Sequence, residues 1–228
     1  IYLKRTITTA LVALTSINTG CVSYTNNEPQ INDAANDSVI FYDDMTGDWT
    51  EQWFLDGNEN ATVENREDGL YFSGGTVTKP MDRQAYHAHH AVLWTKQVFE
   101  GDLRISFEMT RLDESDYGNT LLYILAQGVG YGPFDKDITK WQEMRNVSAM
   151  AKYFNNMDLL SLSFRKNLRA RRYPLRDHPD PAQEAQGGTV RPHVDYIGMI
   201  PGKPYLVEVE KKGADLTLRL FDKETGET

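Results

Sequence analysis

A cluster of basic residues is the first feature of this chain that could do chemistry. Residues 161–176 hold six of its 24 lysines and arginines and no acid, although the formal net charge is −9. Solvated surfaces normally mix charges of both signs, and an acidic protein repels a long nucleic acid. The cluster therefore predicts a site where arginine forks bind a small anion: a carboxylate, sulfate or phosphate. A solvated turn beside acidic neighbours is the alternative.

The strand predicted around residues 159–167 has one apolar and one polar face, since its side chains alternate with period two. Its polar face consists of Ser161, Ser163, Arg165 and Asn167. Small hydroxyls leave room for a ligand, and the longer side chains can hydrogen-bond to it. This pattern favours a groove that binds sugar hydroxyls and a carboxylate, whereas an ordinary solvent-facing strand would more often carry Lys, Glu and Thr.

Three of the five histidines lie within residues 86–90. In an extended segment His87 and His89 share one face, and His90 points to the other. Imidazoles two residues apart can bind zinc, but the sequence has no matching cysteine pair or second histidine motif. We therefore expect no metal and no cofactor. Proton transfer near neutral pH is the favoured role, and loop histidines with no chemical role are the alternative.

The elements that position these residues are predicted to be all-β. Short alternating runs recur between turn signals from residue 39 onward, as in a β-sandwich. Strands are expected at 38–42, 62–65, 69–73, 90–98, 102–110, 120–127, 159–165, 205–211 and 215–221. Residues 128–158 and 167–203 are expected to be long irregular segments that form the walls of a cleft. They carry the candidate site residues Tyr153, Arg169, Arg172 and His193. Trp94 is a candidate for stacking on a sugar ring or for the core.

The N-terminal region reads as a targeting segment. Lys4 and Arg5 precede a modest apolar stretch at 7–17, and Gly20-Cys21 resembles a bacterial lipoprotein cleavage site. We expect a leader at 1–21, a linker at 22–38 and a catalytic domain at 39–228 whose final strand lies beyond Thr228. Such a protein would be exported to the periplasm or anchored in the outer membrane, with membrane contact only through a lipid on Cys21. An ordinary cysteine is the alternative.

Three segments resemble the YesU-type family of bacterial carbohydrate-utilisation proteins. Residues 89–108 are similar to an early "VLW…F…DF…EF" core, 123–135 to the next strand and loop, and 158–169 to a later strand with an arginine-bearing turn. The resemblance implies a concanavalin-like β-jelly-roll sandwich of two antiparallel sheets with a concave groove. The histidine-rich segment makes the chain look closest to the relatives that dehydrate oligosaccharides of ulvan, a marine algal polysaccharide.

What the resemblance implies is a carbon–oxygen lyase that eliminates water from a terminal uronate. Elimination needs neutralisation of the carboxylate, a base for the C5 proton and an acid for the oxygen that leaves C4. Arg165, Asn167 and Arg169 would hold carboxylate or sulfate, His89 or His90 would act as base or acid, and Tyr153 would be the opposite partner. A polysaccharide lyase that cleaves the glycosidic bond, a non-catalytic carbohydrate-binding protein and a hydrolase with paired carboxylates remain alternatives. The expected partner is an acidic oligosaccharide, sulfated or not; no nucleic acid is expected.

Overall fold

The computed structural model describes residues 2–4, 39–57, 61–75, 86, 89–115, 118–146, 149–166, 168–174, 189–190 and 198–227. The fold is mostly β, in antiparallel sheets. The strands are β1 Tyr2–Lys4, β2 Trp53–Asp56, β3 Thr62–Arg66, β4 Gly69–Ser73, β5 Val92–Thr95, β6 Leu103–Thr110, β7 Leu121–Gly128, β8 Met157–Ser163, β9 Arg169–Tyr173, β10 Thr189–Val190, β11 Pro204–Lys212 and β12 Asp215–Asp222. Trp49–Glu51 and Ile138–Arg145 form 3-10 helices, and Met150–Asn156 forms the helix α1.

A six-stranded sheet has the order β12-β11-β6-β1-β4-β3. β6 and β11 pair along eight residues, from Pro204 opposite Thr110 to Lys211 opposite Leu103. The apolar face predicted for β6 packs in the core, but the strand is not half-buried as predicted, because Ser106, Glu108 and Thr110 on its other face are buried as well. Seven further predicted strands coincide with or overlap observed ones: β3, β4, β5, β7, β8, β11 and β12.

A four-stranded sheet, β10-β9-β8-β7, lies against the six-stranded one. One buried core joins them: Leu103, Met109, Val207 and Val209 come from the larger sheet, and Ile124, Leu162 and Ala170 come from the smaller one. The apolar face predicted for β8 thus packs between the sheets. The polar face of the same strand must then point the other way, away from the larger sheet.

That second face of the four-stranded sheet is partly covered by its own apolar cluster. Trp94 of the two-stranded sheet β2-β5, Trp141 of the second 3-10 helix and Tyr153 of α1 pack there against Leu159 and Tyr173. The segment 128–158 is therefore more ordered than predicted, since its two short helices cover this sheet. What they leave uncovered is the site described below.

One predicted irregular region contains two strands. β9 and β10 lie within the predicted loop 167–203. They form strands because they pair with other strands, which their local sequence does not predict. Residues 39–42, predicted as a strand, have no strand structure.

Residues 2–4 of the predicted leader form β1 between β4 and β6, a place that a removed leader would not occupy. Cys21, the rest of the leader and the linker lie outside the described residues, so the leader stays a prediction. In the described part of the chain, no helix is long and apolar enough to span a membrane.

Candidate functional site

A pocket of about 220 Å³ opens on the second face of the four-stranded sheet. Its lining combines hydroxyl and amide groups with two arginines and an apolar wall: Asn119, Leu121, Met150, Phe154, Ser161, Ser163, Arg169, Arg171 and Tyr173. Among the described residues, no acidic side chain lines it. A neutral-to-basic pocket of this kind suits an anionic ligand with hydroxyl groups.

Strand pairing explains why these residues meet. Tyr123 of β7, Ser161 of β8 and Arg171 of β9 are directly opposite one another across three strands, and such neighbours share a face of a sheet. Ser163 lies opposite Arg169 in the same way. The sequence analysis identified Ser161, Ser163 and Arg169 for this surface, and the structure brings all three to the pocket.

A histidine–tyrosine pair adjoins the pocket. The phenol oxygen of Tyr123 lies 2.9 Å from Nε2 of His90, and the two rings pack edge to face. Arg171 donates from Nη1 to the hydroxyl of Tyr173 at 3.1 Å. Burial raises the pKa of the Tyr123 phenol far above its usual range; Tyr173 adds to the effect and Arg171 opposes it. Tyr123 is therefore protonated at neutral pH and is a weaker acid than a free phenol, so it would give up its proton only to a strongly basic oxygen.

Behind this pair lies a buried ionic network. Asp56 and Arg145 are both 0% exposed, and Nε of Arg145 donates to Oδ2 of Asp56 at 2.5 Å. The same oxygen accepts from Nε1 of Trp94 at 2.7 Å and from the Tyr153 hydroxyl at 3.3 Å. Burial raises the pKa of Asp56, while the charge of Arg145 and the three donated hydrogen bonds lower it.

Tyr153 and Trp94 belong to this network rather than to the pocket. This corrects the site role predicted for Tyr153, and for Trp94 it favours the core alternative over sugar stacking. Tyr153 is 0% exposed and its ring packs edge to face on His90, with centroids 4.5 Å apart. Trp94 is buried and stacks on Tyr123 at 5.5 Å. Neither ring is open to a ligand, and Tyr123, which is partly buried, is the tyrosine whose hydroxyl lies within hydrogen-bond distance of His90. Both buried rings instead fix the orientation of His90 and Tyr123.

Arg165 lies outside the proton-transfer pair. Its guanidinium contacts Asp113 and the main-chain oxygen of Ser115, and a Cβ on Gly118 would lie 3.0 Å from Nη1 of Arg165. Because Gly118 is next to Asn119 of the pocket, Arg165 lies near the far end of the pocket. The predicted convergence is met in part: His90 and Tyr153 are in ring contact, whereas the guanidinium of Arg165 is held by Asp113 and Ser115. Arg171, two strands across from Tyr123, is the arginine whose charge acts on the Tyr123 phenol.

Of the four remaining predicted site residues, two have contacts outside the pocket and two lie outside the described residues. Nδ1 of His89 lies 3.1 Å from the main-chain oxygen of Gly74, so the structure gives His89 a backbone contact. Arg172 lies opposite Leu160, on the other face from the pocket, and pairs with Asp158; the prediction that it binds substrate is wrong for this geometry. Asn167 and His193 lie outside the described residues. No group of three or more potential metal ligands occurs in the part of the chain that the structure describes.

Sequence reasoning missed Tyr123, Arg171, Asp56 and Arg145. Arg171 stands within the basic cluster, and strand register alone separates it from Arg172. Tyr123 lies in a strand that is apolar from Leu121 to Ala126, so the sequence around it gives no sign of a chemical role. Asp56 and Arg145 are 89 residues apart, and no local pattern links them. Compared with known proteins, the chain matches no family model, no curated protein and no solved structure.

Proposed function

We propose that this protein is a carbon–oxygen lyase that eliminates water from the terminal uronate of an acidic oligosaccharide, as ulvan dehydratases do. One observation carries the proposal: a hydrogen-bonded histidine–tyrosine pair lies across Ser161 from Arg171, and Ser161 and Arg171 both line a pocket with hydroxyl groups. These are the groups that elimination next to a carboxylate requires. The proposal includes a YesU-type concanavalin-like jelly roll and an exported, lipid-anchored protein, whose six-stranded sheet loses β1 when the leader is removed.

Each group has a part in the reaction. Arg171, with Arg169, pairs with the uronate carboxylate and stabilises the enolate-like charge that develops on it, commonly the largest catalytic contribution. His90 removes the C5 proton. The electron pair of the broken C5–H bond forms the C4=C5 double bond, the C4–O bond breaks, and the leaving oxygen takes the proton of Tyr123 and departs as water. Each acid–base group is expected to contribute about a hundred- to ten-thousandfold.

The pocket size favours water loss over cleavage inside a long chain. Its volume of about 220 Å³ is below the range of roughly 300–1,000 Å³ typical of ligand pockets. A pocket of this size suits a terminal sugar unit. A lyase that cleaves the glycosidic bond would use the same groups, because only the leaving group differs. A carbohydrate-binding protein would use the pocket but would need no acid–base pair.

The test uses uronate-terminated algal oligosaccharides, with ultraviolet absorbance to detect the new C4=C5 bond and mass spectrometry to identify the product. A mass loss of one water supports dehydration; two shorter fragments mean a lyase. Substrate binding without absorbance change would refute catalysis and leave the binding protein. His90→Gln and Tyr123→Phe should each lower kcat at least about a hundredfold with little change in substrate affinity.

The sequence provides a matched control for the arginine. Arg171→Gln should abolish turnover, because it removes the charge beside Tyr123. Arg172→Gln changes the next residue of the same strand, whose side chain is 54% exposed on the opposite face, and should leave turnover within about twofold. Equal losses in the two variants would contradict the assignment of Arg171.

A further inference from the structure

Two buried arginines share one half-exposed carboxylate at the end of the pocket. The side chains of Arg111 and Arg165 are 5% and 7% exposed, whereas that of Asp113 is 49% exposed. Nη1 of Arg111 donates to the Met199 carbonyl at 3.1 Å and Nη2 donates to that of Ser115 at 2.7 Å. Both guanidinium groups are therefore fixed by the main chain, and Asp113 lies on their solvent side.

Within the described residues, the charges of this cluster do not balance. Arg111 and Arg165 contribute two positive charges, and within the described residues Asp113 is the carboxylate ion-paired with them. Nε of Arg165 is buried and has no hydrogen-bond partner in the described part of the chain. Burial and the charge of Arg111 lower the pKa of Arg165, while Asp113 raises it. Buried like charges with one counterion retain affinity for an external anion.

Arg165 follows the pocket strand β8, which ends at Ser163. Ser161 lies opposite Arg171 and Tyr123, and Arg165 comes four residues later, in a bend. An extended chain rises about 3.3 Å per residue, so the main-chain separation of Ser161 and Arg165 is at most roughly 13 Å. Asn119 and Ser163, both in the pocket lining, lie between the two positions. A chain of sugar units bound at Arg171 would extend towards Arg165.

We propose that Arg111 and Arg165 form a second anion subsite, which Asp113 occupies in the free protein and which takes a sulfate or carboxylate of the same oligosaccharide. The acidic group would lie a few sugar units from the one held by Arg171. This subsite rests on the proposed function for its ligand, but not for its ability to bind an anion. It would select substrates with two acidic groups at this spacing over shorter acids.

Inorganic sulfate is the first probe, and thermal unfolding is the readout, since an ion that binds only the folded state raises Tm. Asp113→Asn should bind sulfate roughly fivefold more tightly than the unchanged protein, the scale of one half-exposed ion pair. Asp135→Asn is the control, because Asp135 is similarly exposed and paired with Lys140. Sodium chloride at equal ionic strength corrects for screening. The same sulfate response in all three proteins would overturn the subsite.

Two further results keep the test decisive. If Asp113→Asn unfolds at low salt, sulfate should restore folding at lower ionic strength than chloride does; equal potency would overturn the proposal. With oligosaccharides, Asp113→Asn should lower KM for a tetrasaccharide that carries two acidic groups and leave KM for a disaccharide with one unchanged. Absence of turnover with a positive sulfate result would refute the proposed function alone. Normal turnover with no selective sulfate response would refute the subsite alone.

Discussion

Replacing Asp56 with alanine tests the buried network behind the site. The carboxylate and the Arg145 guanidinium are both fully buried, and two further donors, the Trp94 indole and the Tyr153 hydroxyl, point at the same oxygen. Without Asp56, the Arg145 guanidinium keeps, among the described residues, a hydrogen bond to the Ile138 carbonyl and a place over the Trp141 ring, 4.2 Å from its centroid, but no carboxylate. Breaking a buried ion pair on one side costs about 3–5 kcal/mol. That is a large share of the roughly 5–15 kcal/mol by which domains are stable.

Urea unfolding measures the loss as a lower midpoint at unchanged slope. The control is Asp135→Ala, which breaks the exposed pair with Lys140 and should cost at most about 1 kcal/mol. Adding Arg145→Met to Asp56→Ala should recover part of the loss, because it removes the unpaired buried charge. The reasoning is refuted if Asp56→Ala costs no more than Asp135→Ala, or if the second change brings a further large loss.

Three other predictions concern pH and packing. The hydrogen bond from Lys203 lowers the pKa of Asp222 from 3.8 to about 2. The stability that the ionised Asp222 adds is therefore complete above about pH 4 and is lost as the pH falls towards 2. In Asp222→Asn, the stability measured by urea unfolding should fall less over this pH range. Burial raises the pKa of Tyr123, so on raising the pH the phenol ionises in the unfolded protein before it ionises in the folded one. The free energy of unfolding therefore falls as the pH rises above about 10, and in Tyr123→Phe this fall should be shallower. A Cβ on Gly128 would lie 1.8 Å from a main-chain oxygen, whereas a Cβ on Gly47 would meet open space. In thermal unfolding, Gly128→Ala should lower the free energy of unfolding by about 1–3 kcal/mol. The control Gly47→Ala should lower it by less than about 0.5 kcal/mol.

Local periodicity was a reliable guide to much of the fold. β6 alternates apolar and polar residues over its whole length, and β11 and β12 are separated by a short turn, so these elements follow from neighbours in sequence. β9 was missed because three of its five residues are arginine, Arg169, Arg171 and Arg172, a composition that predicts a loop. Its pairing with β8 and β10 supplies what the local sequence does not.

The residues with a proposed catalytic role were harder to assign, since the role of a side chain depends on how deeply it is buried as well as on which face of the sheet it lies. Tyr153 lies in a short helix whose period gives no sign that its hydroxyl reaches Asp56, 97 residues away. Tyr123 lies on the polar-facing side of its strand beside Ser161, and only the packing of Trp94 and His90 around it makes it a proton-transfer candidate. A contact between residues this far apart in the sequence cannot be predicted from local composition.

Strand register decides which arginine reaches the pocket. Arg171 and Arg172 are adjacent in sequence and chemically identical, but Arg171 lies opposite Ser161 and Arg172 lies opposite Leu160. A shift of one residue between β8 and β9 would exchange them and would turn Ala170 out of the core. The core position of Ala170, against Leu162, therefore holds Arg171 beside Tyr123. It follows that Ala170→Arg should lower turnover through loss of register, whereas Arg172→Gln should not, although Arg172 is nearer in sequence to Tyr173 of the pocket.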